Sequence, residues 1–284
     1  MKFMSYAVRG ARGLAVDTGS GFRGMRVSDP RYPGNLKVLI AEDRLQDGAA
    51  ILSEGGAIDP DTVTVLPPIP DPQKIICIGL NYRDHAAEAG MALPDYPAIF
   101  ARFATTLTGH GQPLLRPRQS ESFDYEGELA VIIGRGGRHI PQDRALDTVA
   151  GYSIFNDATL RDYQMKSPQW TAGKNFDATG AFGPVMATAD ALPPGCAGAR
   201  LVTTLNGDVV QDGRIDDMVF PVARLIAILS ELMTLTPGDI IITGTPAGVG
   251  MGRTPKLWMK PGDTVSISIE GIGTLTNPVE DAPT

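Results

Sequence analysis

Hydrophobic and polar positions alternate in short bursts along most of the chain, and this pattern predicts many strands and few helices. MSYAVRG and GFRGMRV read as short strands, and the stretch from NLKVLIAED to AAILSEGG reads as helical. KIICIG (74–79), GELAVIIG (127–134), GYSIF (151–155), DIIITG (239–244) and DTVSISIEGIGTLTNPV (263–279) are strand-like runs with Gly or Asp at their ends. LVTTLNGDVVQDG (201–213) predicts a hairpin turning at Asn206-Gly207. NYRDHAAEAG (81–90) predicts a short helix stopped by Gly90. FPVARLIAILSELMTL (220–235) is the clearest amphipathic helix, with Val222, Leu225, Ile226, Leu229 and Leu232 on one stripe. Four prolines in VLPPIPDPQ (65–73) make a stiff extended linker, which divides a small N-terminal α/β domain (1–70) from a larger second domain (71–284). Short strands with Gly and Pro at the junctions indicate a β-rich α+β fold rather than a doubly wound sheet.

Composition narrows the class. The 284 residues are 43% hydrophobic and 20% charged, with a formal net charge of −7. This is the balance of a globular domain, and it argues against nucleic acid, whose phosphates call for clustered Lys and Arg. The two cysteines, Cys77 and Cys196, form no metal-binding spacing, so a reducing compartment is expected. No signal-like start and no membrane-length apolar run is seen, so the expected location is the cytoplasm, without a membrane partner.

Chemistry concentrates first in FDYEGELAVIIG (123–134), where Asp124, Glu126 and Glu128 fall at every second position before an apolar run. Alternate residues of a strand share a face, so Glu126 and Glu128 point the same way, with Gly127 baring the opposite face to a close neighbour. Two adjacent carboxylates repel unless a cation or protons intervene. Hard divalent ions such as Mg²⁺, Mn²⁺ or Ca²⁺ suit oxygen ligands, and Asp157 of SIFND offers a third. The plainer alternative is a solvated strand face, with Asp157 as a helix cap.

Of the three histidines, His85 stands apart, because Glu88 lies three residues on and shares its helical face. A carboxylate beside an imidazole favours a general base, although a surface pair has the same spacing. Lys174 sits in TAGKNFDATGAFGP, where the default is an ordinary surface lysine. TGTPAGVGMG (243–252) lacks the Gly-Lys-Ser/Thr of a phosphate loop, but its backbone amides can hold an anionic oxygen.

Singly these signals are weak; their order is not. KIICIGLNYRDHAAEAG, FDYEGELAVIIG, GYSIFNDATLRDYQ, GKNFDATGAFGP, LNGDVVQDG, GDIIITGTPAGVG and KPGDTVSISIEGIGTLTNPV together resemble the fumarylacetoacetate hydrolase family across about residues 70–279. The first 70 residues look like that family's variable N-terminal domain. The resemblance implies a mixed β-sandwich roll, usually a homodimer, with a divalent ion (Mg²⁺ or Mn²⁺, with Ca²⁺ fitting the same donors) held by Glu126, Glu128 and Asp157. It places the catalytic pair on His85 and Glu88 and the active-site lysine on Lys174. Arg161, Gln164 and Thr245 match substrate-contacting positions, and Tyr82 and Arg83 lie near the same helix. Arg102 stands where many members have lysine.

By the same resemblance, the expected reaction is hydrolysis of the C–C bond of a 2,4-dioxo acid, an acylpyruvate, to pyruvate and a carboxylic acid. His85 would activate water, Lys174 would stabilise the anion, and Thr245 would hold the diolate oxygen. Maleylpyruvate or fumarylpyruvate from aromatic-ring breakdown fits if Arg83 and Arg102 meet a distal carboxylate. Oxaloacetate decarboxylation or tautomerisation, isomerisation of a 2-oxo-enoic diacid, and a non-catalytic ligand-binding role are the alternatives. Residues 81–97 are expected to form a mobile lid.

Overall fold

The structure, a computed structural model, describes residues 1–88 and 93–283, and of 85–87 the backbone alone. Its frame is a large mixed sheet. Across that sheet run Gly56–Ile58, Phe22–Arg26, Ala11–Asp17, Lys2–Val8, Gly180–Thr188, Val149–Asp157, Gly127–Ile133, Ile240–Ile242, Ile75–Gly79 and Ala98–Arg102, in that order. A second sheet, five-stranded, follows the order Asp208–Arg214, Arg200–Leu205, Thr264–Ile269, Gly273–Asp281 and Leu114–Arg116. The fold is thus strand-rich α+β, as the sequence pattern indicates, and its large mixed sheets agree with the roll that the resemblance implies.

The central strand Gly127–Ile133 is buried at every position, which explains its nearly unbroken apolar run. Leu129, Val131 and Ile133 face the second sheet and the helix Val222–Leu232. Ala130 and Ile132 face the other way, toward the short helices Leu36–Ala41 and Leu45–Ser53. At the mouth of the strand the pattern changes from apolar to acidic. The bare face at Gly127 is occupied as expected: a Cβ there would lie 2.3 Å from Thr203 Oγ1 on the second sheet.

The linker 65–73 does not interrupt the sheet. Strand Lys2–Val8 pairs antiparallel with Gly180–Thr188, and residues 64–65 pair back onto Lys2–Val8. The hairpin turn at Asn206-Gly207 has both residues at positive φ, 54° and 92°, as a two-residue turn of this hand requires. In helix Val222–Leu232, Val222, Leu225, Ile226 and Leu229 are buried; Leu232 is not, because it sits in the last turn and rotates to the surface. The helix predicted over 81–90 forms as Arg83–Glu88; Gly90, its expected stop, lies outside the described residues, as does part of the expected lid. Among the described residues no helix is long and apolar enough to cross a membrane.

Candidate active site

Glu126, Glu128 and Asp157 converge. Each offers a carboxylate oxygen, and these oxygens lie within 4.8 Å of one another with all three residues buried. Two local features bring them together. Glu128 on its strand stands opposite Phe155, two residues before Asp157, so both acids share one sheet face. The Asp157 N–H donates to the Glu126 carbonyl, which draws the third acid in.

Three buried cations surround the acids. Lys174 Nζ donates to Glu126 Oε2 and to Asp157 Oδ2, each at 2.5 Å. Arg161 Nη2 donates to Glu126 Oε1 at 2.6 Å, its Nε to Asp124 Oδ2 at 2.8 Å and its Nη1 to Gln164 Oε1 at 3.0 Å. Arg102 Nη1 donates to Asp157 Oδ1 at 2.5 Å, and its Nη2 to Thr179 Oγ1 at 2.7 Å. Four buried carboxylates, counting Asp124, thus face three cations, which leaves one excess negative charge. Glu128 is the acid without an ion pair among the described residues, and it accepts from the Gly244 N–H at 2.5 Å. Burial, with the Asp157 and Glu126 charges behind it, pushes the Glu128 carboxyl well above the usual carboxylate range. Burial draws the Lys174 ammonium downward, but the Asp157 and Glu126 carboxylates override it and the net shift is upward. Three oxygen donors, crowded and short of positive charge, fit a hard divalent cation.

The Gly-rich loop 243–252 has a role that its composition did not reveal. Its amides hold the protein's own carboxylates: Gly244 holds Glu128, Gly248 holds Glu88 at 3.1 and 3.2 Å, and Gly250 and Met251 hold Asp124 at 2.7 and 3.0 Å. Asp124 therefore does not join the triad. The chain leaves the short Phe123–Asp124 ribbon before entering the long strand, and Asp124 turns to brace Arg161 against the loop. Thr245 Oγ1 donates to the Gly127 carbonyl at 2.9 Å and accepts from Gln211 Nε2 at 2.8 Å. The Gln211 amide orientation is fixed by the Gly127 N–H, which donates to its Oε1 at 2.9 Å. The Thr245 hydroxyl hydrogen is therefore already committed, so this side chain offers the cavity an acceptor rather than the donor expected for a diolate oxygen.

A cavity of about 450 Å³ opens above the triad. Glu126, Glu128, Asp157, Arg161, Gln164, Lys174, Thr245 and Glu88 line it. Three other candidates do not line it. Arg102 is buried behind Asp157, in a slot kept open by Gly180, where a Cβ would come within 3.1 Å of the guanidinium. Tyr82 is buried in the core, with its backbone bridged to Met218, and Arg83 is exposed outside the lining. Arg83 and Arg102 are therefore not placed to meet a distal carboxylate. The side chain of His85 lies outside the described residues. Lys174 is no surface lysine: the four-residue helix Thr171–Lys174 delivers it, 2% exposed, into the triad. Gln211 and the aromatic pair Phe100 and Trp170 were not singled out in the sequence. Gln211 comes from the other sheet, and no motif or spacing marks the two aromatics.

Residues 74–280 match the sequence profile of the fumarylacetoacetate (FAA) hydrolase C-terminal domain. The chain belongs to the fumarylacetoacetate hydrolase family. A mitochondrial oxaloacetate tautomerase of Xenopus laevis is 38% identical over 273 residues, covering 94% of this chain and 85% of that protein. The solved fumarylacetoacetate hydrolase of Exiguobacterium antarcticum superposes with a TM-score of 0.87 at 36% identity, covering 99% of this chain and 100% of that one. The maleylpyruvate hydrolase of a Sphingobium species, solved with manganese(II) and pyruvate, has a TM-score of 0.82 at 27% identity, with all of both chains covered.

Proposed function

We propose that this protein is a divalent-cation-dependent enzyme that takes a small 2-oxo acid through its enol, and that its reaction is keto–enol tautomerisation. The observation that carries the reading is the convergence of Glu126, Glu128 and Asp157 on the floor of the cavity. Glu126, Glu128 and Asp157 would hold Mg²⁺ or Mn²⁺, which supplies Lewis-acid chemistry to the adjoining carboxylate and carbonyl oxygens of the acid. Arg161 and Gln164, fixed to each other, line the side where an anionic head group enters. Lys174 adds positive charge where the enolate oxygen gathers negative charge. The His85–Glu88 pair accepts the proton leaving C3, and Glu88 is positioned for this by the Gly248 N–H. Returning a proton to the oxygen gives the enol; returning it to C3 restores the ketone. The similarity to an oxaloacetate tautomerase along 94% of the chain supports this choice.

Hydrolysis of a 2,4-dioxo acid is the second reading. The extent of the cavity beyond the triad favours it, since it leaves room for an acyl arm. A homodimer is proposed under both readings. The experiment is to follow the ultraviolet band of enol-oxaloacetate and of acylpyruvates with Mg²⁺, Mn²⁺ or EDTA, and to assay pyruvate in parallel. Metal-dependent loss of the oxaloacetate enol without pyruvate supports the tautomerase. Stoichiometric pyruvate from an acylpyruvate, with no acceleration of oxaloacetate enol loss, would replace it with the hydrolase.

A further inference from the structure

Part of the cavity lining is apolar. Phe100, Trp170, Met165, Val249 and Met251 form much of it. Trp170 lies directly against the backbone of Gly79, where a Cβ would come within 2.1 Å of its ring. Its ring meets Phe100 edge-on at 5.5 Å and 68°. Met165 and Met251 stand at the rim, 67% and 37% exposed, and supply flexible, polarizable contacts.

The charges in the cavity point the same way. Among the described residues, the cations in its lining are Arg161 and Lys174, and each is already ion-paired with two protein carboxylates. Arg102 is sealed behind Asp157, and Arg83 is outside the lining. The four buried acids outnumber the three buried cations by one. A divalent ion would reverse that excess and accommodate one substrate carboxylate. A second carboxylate would enter a low-dielectric site in which, among the described residues, each lining cation is already paired. A volume of about 450 Å³ lies inside the range of roughly 300–1,000 Å³ typical of sites for drug-sized ligands, more than a four-carbon acid needs.

We infer that the site selects 2-oxo monocarboxylates whose second arm is uncharged and apolar, alkyl or aryl, laid along the wall of Phe100, Trp170 and the two rim methionines. This rests on the head-group reading above, and it names what lies beyond the head. Oxaloacetate, whose arm is a carboxylate, is then a poorer ligand than an apolar homologue.

The test measures binding rather than turnover. Non-reacting oxamates are titrated calorimetrically into the Mn²⁺-loaded protein: oxamate as the bare head, N-oxalylglycine with a charged arm, and N-phenyloxamate with an apolar one. The expected result is that N-phenyloxamate binds at least tenfold tighter than N-oxalylglycine, a difference of about 1.4 kcal/mol. Trp170→Ala should bring that ratio toward one. Met165→Lys, at an exposed position that leaves folding alone, should reverse it by giving the charged arm a cation. Equal or tighter binding of N-oxalylglycine to the wild-type protein overturns the inference, as does a ratio that neither variant moves. If oxamate binds and only the arm preference fails, the head-group reading stands. If no oxamate binds the Mn²⁺-loaded protein, both fall.

Discussion

Gly127 sits between two metal-ligand candidates, and its missing side chain is a structural requirement. A Cβ at this position would lie 2.3 Å from Thr203 Oγ1, against the 3.4 Å at which ordinary contact begins. Gly127 is not among the residues at positive φ, so the cost of Gly127→Ala is steric rather than conformational. Opening a well-packed sheet interface by about an ångström costs roughly 1–3 kcal/mol. For a chain of this size a loss of ~2 kcal/mol lowers Tm by roughly 4–8 °C. The offending atom can be removed separately. Thr203 is fully buried, and its hydroxyl makes no hydrogen bond among the described residues, so Thr203→Ala alone should cost little. In the double variant the nearest neighbours of the new Cβ are Ile267 and Leu201, at 3.1 and 3.2 Å, which need shift only slightly. A double-mutant cycle by calorimetry should therefore show favourable coupling of at least ~1 kcal/mol. Because Glu126 and Glu128 flank the site, the Tm rise on adding Mn²⁺ should shrink in Gly127→Ala and recover in the double variant. Additive effects of the two substitutions, or a Gly127→Ala protein as stable as wild type, would refute the reasoning.

Three further outcomes follow from the site and its surroundings. Glu128→Gln removes a buried carboxylate that has no ion-pair partner among the described residues, so the EDTA-treated variant should be more stable than wild type by about 1–2 kcal/mol, yet gain no Tm from Mn²⁺ and show no enol turnover. Asp124→Asn weakens the brace on the Gly-rich loop; amide exchange at Gly250 and Met251 should accelerate at least tenfold, while that in Ile240–Ile242 stays unchanged. Burial holds the His110 imidazole below its ordinary 6.5, and its Nδ1 accepts from the Thr276 N–H. The unfolded chain therefore takes up the proton first, and the stabilisation is complete above pH 6.5 and lost as pH falls toward the folded value. Between pH 7.5 and 5.5 (values on the order of a unit either side of that pKa), wild-type Tm should drop more than that of His110→Asn.

Much of the site could be read from the sequence because its geometry is local. The shared face of Glu126 and Glu128 follows from strand pleating, whereas Asp157 joins them through the pairing of two strands, which the family resemblance, not the spacing, pointed to. What could not be read depends on residues distant in sequence. Arg102 looked like a cation available to substrate; it is enclosed because Gly180, on a strand elsewhere in the sheet, leaves room for its guanidinium. Lys174 defaulted to the surface because lysines usually lie there, and a four-residue helix overrode that tendency. The loop 243–252 showed its capacity to bind anions but not which anions, since Glu88, Asp124 and Glu128 reach it from three separate segments. Leu232 lies on the helical stripe by count, but it falls in the final turn, beyond the surface against which the helix packs.

The pairing of Lys2–Val8 with Gly180–Thr188 sets a condition on exchanging modules between relatives. A protein cut at the proline-rich stretch would leave Gly180–Thr188 with a row of unmatched backbone donors and acceptors, a template for sticking to other copies. A foreign leading segment would have to reproduce the ladder, with Lys2 opposite Ala187 and Phe3 opposite Met186, before it could keep this half of the molecule dispersed in solution.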